Sequence, residues 1–318
     1  MGAGNNFYGE FIALLTALSW SVCVFPFTEA ARRIGPDAVN ILRLIVAFGI
    51  QAIILAVYYS SFNALFSVPT KEEWLWLGLS GVFGFALSDF FGFTAYAILG
   101  PRLGSLFGTI APAVVLFSGY IFLNETINVT GIGGIMMTIA GLVWLLGTKA
   151  KTEQEHDYRF GSRRKAIVSG LLAAICGAVG VVLAKKAMVP GGINPMHATW
   201  LRLMFGTAGM LLYLLVSGKV QGVVKAVMKN ERNGVYYALW GTLFGPFIGV
   251  CLSMYALSLV EATVAQTIFS IMPVLVLPLG YFFYRQRITR NGFLGAAVAV
   301  AGVLILIWRN EIAACLIR

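Results

Sequence analysis

The stretch IGPDAVNILRL, Ile34 to Leu44, returns 159 residues later as INPMHATWLRL, Ile193 to Leu203, with five of eleven positions identical. The same offset holds further along, where Tyr96-Ala97 matches Tyr255-Ala256. Beyond that point the offset becomes 161: Pro112 meets Pro273, Gly119-Tyr120 meets Gly280-Tyr281, Gly131 meets Gly292, Gly134 meets Gly295, and Ala140-Gly141 meets Ala301-Gly302. One two-residue insertion accounts for the change, so the chain reads as a tandem duplication.

The residues between these matched points name the solvent. With 59% hydrophobic and 11% charged residues, the chain has too much apolar surface for one soluble core and too few charges to cover it. A helix crosses a bilayer with roughly 20 mostly apolar residues, and ten such stretches are expected, near 8–28, 37–58, 74–99, 103–123, 129–148, 166–188, 195–217, 235–258, 262–283 and 291–308. The ten-residue alternation of a membrane β-barrel is absent. The expected fold class is therefore an all-α membrane protein, ten transmembrane helices arranged as two five-helix repeats. Because five is odd, the second repeat enters the membrane from the opposite side, and the repeats are inverted. The boundaries follow: a first repeat over 1–148, a polar linker over 149–165, a second repeat over 166–310 and a tail over 311–318.

Charge orients the chain. If the N-terminus is outside, the loops that fall inside hold sixteen of the 23 Lys and Arg residues, and the opposite side holds five. The positive-inside rule then places both termini outside and the linker in the cytoplasm. The net charge of +10 is a topology signal carried by short loops, which removes nucleic acid as a partner. The first span lacks a basic leader and a small-residue cleavage site, so it reads as a retained span. Cys23, Cys176, Cys251 and Cys315 are isolated, with no disulfide framework and no metal site expected; Cys315 in CLIR is a poor prenylation signal.

Few ionisable residues lie within the spans, and each needs a reason there. Asp89, near the middle of the third span, has Ile248 as its counterpart at the 159 offset. Two readings stand: a one-sided task such as proton coupling or binding a substrate amine, or a structural hydrogen bond to a neighbouring helix. Asp89, Phe93 and Tyr96 recur at i, i+4 and i+7 and share one helix face. Arg43 and Arg202 follow Pro36 and Pro195 by seven residues, roughly 10 Å along their helices. Either they snorkel to the interface, or their guanidinium groups face a cavity and hold a carboxylate or phosphate. Trp20, Gln266 and Ser270 complete the candidate binding set, Gln266 and Ser270 sharing a face four residues apart. Pro26, Pro112, Pro246, Pro273 and Pro278 interrupt spans, and the matched pair Pro112 and Pro273 marks spans 4 and 9 as the bending elements. Gly241, Gly245 and Gly249 in span 8, and Gly84, Ser88 and Gly92 in span 3, form small-residue faces for close helix packing.

The ALSW of the first span, the LRL arginine of the second, the Tyr-Ala near the end of the third and the run PRLGSLFGTIAPAVVLFSGYIFLNETINVTGIGGIMMTIAGLVWLLG together resemble an EamA-type domain of the drug/metabolite transporter superfamily. The second half resembles it too, through ATVAQTIFSIMPVLVLPLGYFFYRQRITRNGFLGAAVAVAGVLILIW. The resemblance implies ten helices in two inverted repeats that move small metabolites, often outward, around a central cavity. The superfamily handles amino acids, drugs, nucleotide sugars and lipid-linked intermediates. The glutamate common after the fourth span is Glu125 here, whereas its partner in the second half is Gln286.

The function expected is secondary transport, most simply export, of small organic metabolites such as amino acids or related compounds, from a bacterial plasma membrane. The alternative is a flippase or scramblase of lipid-linked substrates. An enzyme is not expected, because His156 and His197 stand without a metal pair, nucleophile elbow or phosphate loop. No cofactor is expected. The partners are a small-molecule solute and the lipid bilayer, with protons as a candidate coupling ion.

Overall fold

A computed structural model describes residues 3–147, 160–188, 192–284 and 290–316. Every regular element among them is a helix. Nine are long and apolar enough to cross a membrane: α1 Phe7–Ile34, α2 Pro36–Tyr58, α3 Lys71–Gly100, α4 Leu103–Leu123, α6 Arg163–Met188, α7 Pro195–Val216, α8 Glu231–Leu259, α9 Ala262–Gly280 and α10 Arg290–Ile307. The tenth, α5 Val129–Leu145, is a shorter apolar helix. The ten elements fall where the sequence places them, with α1 extending past residue 28 so that Arg32 and Arg33 form its last turn.

Local chemistry sets the helix ends. Between α1 and α2, Gly35 takes φ 90, a conformation costly for other residues, and Pro36 starts the next helix where its missing N–H costs nothing. At the start of α7, Asn194 caps the Met196 N–H at 2.9 Å ahead of Pro195. Thr70 and Glu73 form a reciprocal capping box at the start of α3, and Gly100 ends that helix with φ 79.

The packing partners repeat when each helix is replaced by the one five places on. Helix α1 packs on α8 as α6 packs on α3; α2 on α8 as α7 on α3; α1 on α9 as α6 on α4. Helices α2, α4 and α5 pack on their own mates α7, α9 and α10. This is the signature of a two-fold axis passing between the halves. The glycines of α5 and α10 show its direction. A Cβ on Gly134 would stand 2.8 Å from the Gly302 carbonyl oxygen, and one on Gly141 2.8 Å from the Gly295 carbonyl oxygen. The contacts run in opposite directions along the two helices, so repeat mates are antiparallel and the halves are inverted. Only glycine permits so close a backbone approach.

The predicted small-residue faces are both used. A Cβ on Gly241 or Gly245 would stand 2.6 or 2.8 Å from the Phe27 ring, and one on Gly249 2.5 Å from Trp20, so this face of α8 receives α1. In the mate contact, Gly84 lies on Gly180, and Ser88 Oγ donates to the Ala173 carbonyl at 2.9 Å, joining α3 to α6. Both α3 and α8 carry a π-helical turn here, at Val82–Leu87 and Leu243–Gly249. Outside the bundle, Ile53, Val57, Phe117, Met136 and Leu212 are exposed, the surface hydrocarbon would cover.

The prolines divide into two kinds. Pro26 and Pro278 sit inside unbroken helices and do not interrupt their spans. Pro112 follows a 3-10 turn over Leu106–Ile110 at the start of the helix Ala111–Leu123. Pro273 is the second residue of Met272–Tyr284, just after a break at Ser270 and Ile271. Helices α4 and α9 are thus each discontinuous at their matched proline. Gln286 and linker residues 149–159, with His156, lie outside the described residues.

Candidate functional site

A cavity of about 290 Å³ lies between the halves, lined by residues of α1, α2, α3, α4, α6, α7, α8 and α9. Trp20, Arg43, Asp89, Phe93, Tyr96, Arg202, Gln266, Ser270 and Pro273 all line it; Pro112 does not. Arg43 and Arg202 are each 4% exposed, so neither snorkels to the interface.

The first arginine is built in from a defect in α3. Its π-helical turn loosens the regular ladder, and the Phe85 and Ala86 carbonyls accept from Asn40 Nδ2 at 3.4 and 3.5 Å. Held this way, Asn40 Oδ1 accepts from Arg43 Nε at 3.2 Å and Nη2 at 3.1 Å. The same Nη2 donates to Asp89 Oδ2, forming an ion pair with the carboxylate. The Arg43 guanidinium also lies 5.0 Å from the Phe93 ring centroid. Asp89, with 30% of its side chain exposed, faces the cavity from one side of this pair.

The second arginine has different company. Arg202 Nη1 has the Met254 sulfur as its acceptor at 3.3 Å, its guanidinium carbon lies 4.5 Å from the Phe85 centroid, and its buried Nε has no partner. The first half supplies Asn40 and Asp89; the second supplies other residues at both places. Thr199, the mate of Asn40, spends its hydroxyl on the Pro195 carbonyl. The π-helical turns begin 161 residues apart, so the mate of Asp89 here is the cavity-lining Val250, two residues beyond the Ile248 expected from the 159 offset. The register therefore shifts by two residues between Leu44 and the π-helical turn and shifts back before Tyr96, so the single insertion read from the sequence is too simple. Either way the mate is apolar.

Aromatic rings form much of the wall. Trp20 meets Phe269 edge-on with centroids 5.1 Å apart, and Phe27 meets Phe93 at 5.2 Å. Tyr96 lies against Gly104, where a Cβ would be 2.3 Å from its ring. Ser270 is placed at the cavity, but its hydroxyl donates to the Thr267 carbonyl at 2.6 Å. The Gln266 side chain has no hydrogen-bond partner among the described residues. Asn40 is the residue sequence reasoning passed over. It stands within the duplicated stretch, at a position where the two copies differ.

The two ends of the cavity are unlike. Gly104, Phe107, Gly108 and Gly170 carry its lining toward the end that bears the linker, where Phe107 packs with Ile98, Leu99, Ala166 and Phe160. At the opposite end the helices are tied together. Glu125 accepts from the Ala262 N–H at 2.7 Å and the Thr263 N–H at 3.2 Å, capping α9. Lys185 donates to the Leu257 and Val260 carbonyls at 2.6 and 2.9 Å. Buried Arg309 bridges Glu10 and Glu261 at 3.5 and 3.0 Å.

The sequence pattern of the EamA-like transporter family matches residues 7–147 and 164–308, nearly the whole chain, in two copies. The chain belongs to this family. Among its relatives is a transporter described as uncharacterized from Archaeoglobus fulgidus, 26% identical over 95% of this chain and 97% of that one. A WAT1-related chloroplastic protein of Arabidopsis thaliana is 23% identical over 92% of this chain and 70% of its own length. A solved crystal structure superposes with a TM-score of 0.67 at 16% identity, covering 97% of this chain and 98% of that one, a likeness of fold. This EamA-family chain is a multi-pass membrane transporter.

Proposed function

We propose that the protein is a secondary transporter that moves a small organic metabolite, an amino acid or a related compound, out of the cell by alternating access. The observation that carries this reading is the position of the cavity: both repeats line it, around two buried arginines, at the interface between inverted halves. Two similar halves exchanging conformations about such an interface expose one site to either side in turn. The glycine-faced contacts of α3 on α6 and α8 on α1 are the sliding surfaces, and the breaks at Pro112 and Pro273 are the hinges. The positive-inside count supports a cell-membrane protein with both termini outside. In that orientation the cavity extends toward the cytoplasm and its outer end is tied shut, the state an exporter loads. The driving gradient is that of the solute or of protons, with Asp89 the group through which protons would couple.

The test is counterflow into liposomes holding the purified protein, using labelled amino acids, nucleotide derivatives, aromatic acids and aromatic cations. At least one class is expected to accumulate against its preloaded unlabelled form, and Arg43→Gln is expected to remove that accumulation. Failure of every class overturns the reading, and movement of a labelled lipid between leaflets would put a flippase in its place. Orientation is checked in a Cys315→Ser background, which removes an exposed native thiol. Ser162→Cys should be protected from an impermeant thiol reagent in intact cells, and Ser61→Cys labelled.

A further inference from the structure

The charges around the cavity do not balance. Among the described residues its charged lining comprises Arg43, Arg202 and Asp89. Asp89 pairs directly with Arg43 and acts on Arg202 only through space, so two guanidinium charges share one carboxylate and Arg202 is the cation without an ion pair among the described residues. A buried charge is expensive without a counter-charge and hydrogen bonds, and Arg202 has neither in full. A thioether is a weak acceptor, the face of Phe85 offers only a cation–π contact, and Nε has no partner. Nη2 lies over bare backbone, since a Cβ on Gly84 would be 2.9 Å away.

The two-fold relation says what is missing. In the first half an aspartate completes the arginine; in the second, Val250 occupies the matching place. We infer that the solute supplies the missing carboxylate: the cavity selects a small organic monoanion whose carboxylate pairs with Arg202 as Asp89 pairs with Arg43. This rests on the transporter reading and narrows its cargo. The Phe85 ring lies 5.9 Å from the Arg43 guanidinium carbon and 4.5 Å from that of Arg202, so the two cations share one wall. Asp89 is then the internal anion that sets the valence, keeping Arg43 from demanding a second negative group. The ring cluster of Trp20, Phe27, Phe93 and Phe269 faces the body of the solute. An ammonium group finds its acceptor already taken, because Asp89 is committed to Arg43; an organic acid is therefore preferred to the corresponding amino acid. A solute carrying one uncompensated negative charge is also pushed outward by an inside-negative membrane potential, which accords with export.

The experiment compares four probes that share a body and differ in charge: 3-phenylpropionate, 3-phenylpropanamide, phenylalanine and phenethylamine. Each is titrated against the thermal unfolding of the detergent-purified protein, which a ligand of the folded state raises. The wild type is expected to bind 3-phenylpropionate at least tenfold more tightly than the other three. Arg202→Gln should reduce that ratio to one. If Arg202→Gln does not fold, Val250→Asp is the second variant: it places an acid beside Arg202 and should abolish carboxylate binding while leaving a folded protein. Asp89→Asn, which frees Arg43, should gain at least tenfold for the dianion phenylsuccinate. Equal binding of acid and amide, preference for the amine or amino acid, or carboxylate selectivity that survives Val250→Asp overturns the inference. Absence of binding by all four probes overturns it too. The transporter reading survives each of these outcomes if counterflow of any other solute is observed.

Discussion

The two halves share a skeleton and differ in charge. Helices α5 and α10 carry glycines at matched places, each needed for the other's backbone to approach. Helices α3 and α8 carry matched π-helical turns, and α4 and α9 matched proline breaks. Yet Asn40–Arg43–Asp89 in the first half faces Thr199–Arg202–Val250 in the second. The difference teaches where symmetry is required. On the alternating-access proposal, rocking between two states needs halves that bend and slide alike, whereas a solute has no two-fold axis and is held better by unlike sides.

The largest expected effect breaks the symmetric part. Gly141→Leu and Gly302→Leu should be equally damaging, because a Cβ would come within 2.3 Å of the Ala299 nitrogen in one case and 2.5 Å of the Thr138 nitrogen in the other. Overpacking commonly costs ~1–3 kcal/mol, and more where backbone must move. Loss of monodisperse protein on size-exclusion chromatography is the readout, and unequal loss would break the equivalence of the halves.

A smaller effect sharpens the asymmetric part. Asn40→Ala removes two acceptor contacts to a buried guanidinium, and hydrogen bonds to charged groups are worth ~1.5–3 kcal/mol. Transport should fall by about tenfold or more, with the protein still folded. Thr199→Ala, at the mate position, should change transport by less than about twofold, because that hydroxyl bonds the Pro195 carbonyl and the Cys251 thiol and serves neither arginine. Initial rates of counterflow measure both, and equal losses would erase the distinction between the arginines.

The smallest effect concerns the closed end. Glu125→Gln keeps the shape of the α9 cap but removes its charge, at a cost of ~1 kcal/mol or less. The expected result is a modest fall in unfolding temperature with faster labelling of a Thr263→Cys reporter from outside. An unchanged labelling rate would show that Lys185 and Arg309 hold that end by themselves.

Much of this architecture is legible along the chain. Ten apolar runs, the odd number per repeat and the recurring LRL arginine state the bundle before any coordinate is known, because bilayer thickness fixes helix length and hydrogen bonding in hydrocarbon leaves few alternatives. The candidate residues were legible for the same reason: a charge or a proline within a span stands out against its surroundings. Their partners were not. Arg43 and Asp89 are 46 residues apart and on different helices, and the Asn40 that holds Arg43 reaches carbonyls of the π-helical turn in α3. The structural mate of Asp89 was likewise hidden, because an offset counted from Tyr96 and Tyr255 does not reveal that the π-helical turns stand two residues out of that register.

What the sequence determined by itself is the number of helices, the duplication and its inversion, since these follow from length, period and parity. What only the tertiary structure decided is which way each buried charge turns. Arg43 and Arg202 occupy equivalent places in near-identical motifs, and nothing in an LRL triplet says that one meets an aspartate and the other a thioether and a ring face. That depends on the residues a neighbouring helix brings within hydrogen-bond reach. Electrostatic partnership in a low-dielectric interior is set by distances of a few ångströms, and such distances come from packing, not from spacing along the chain.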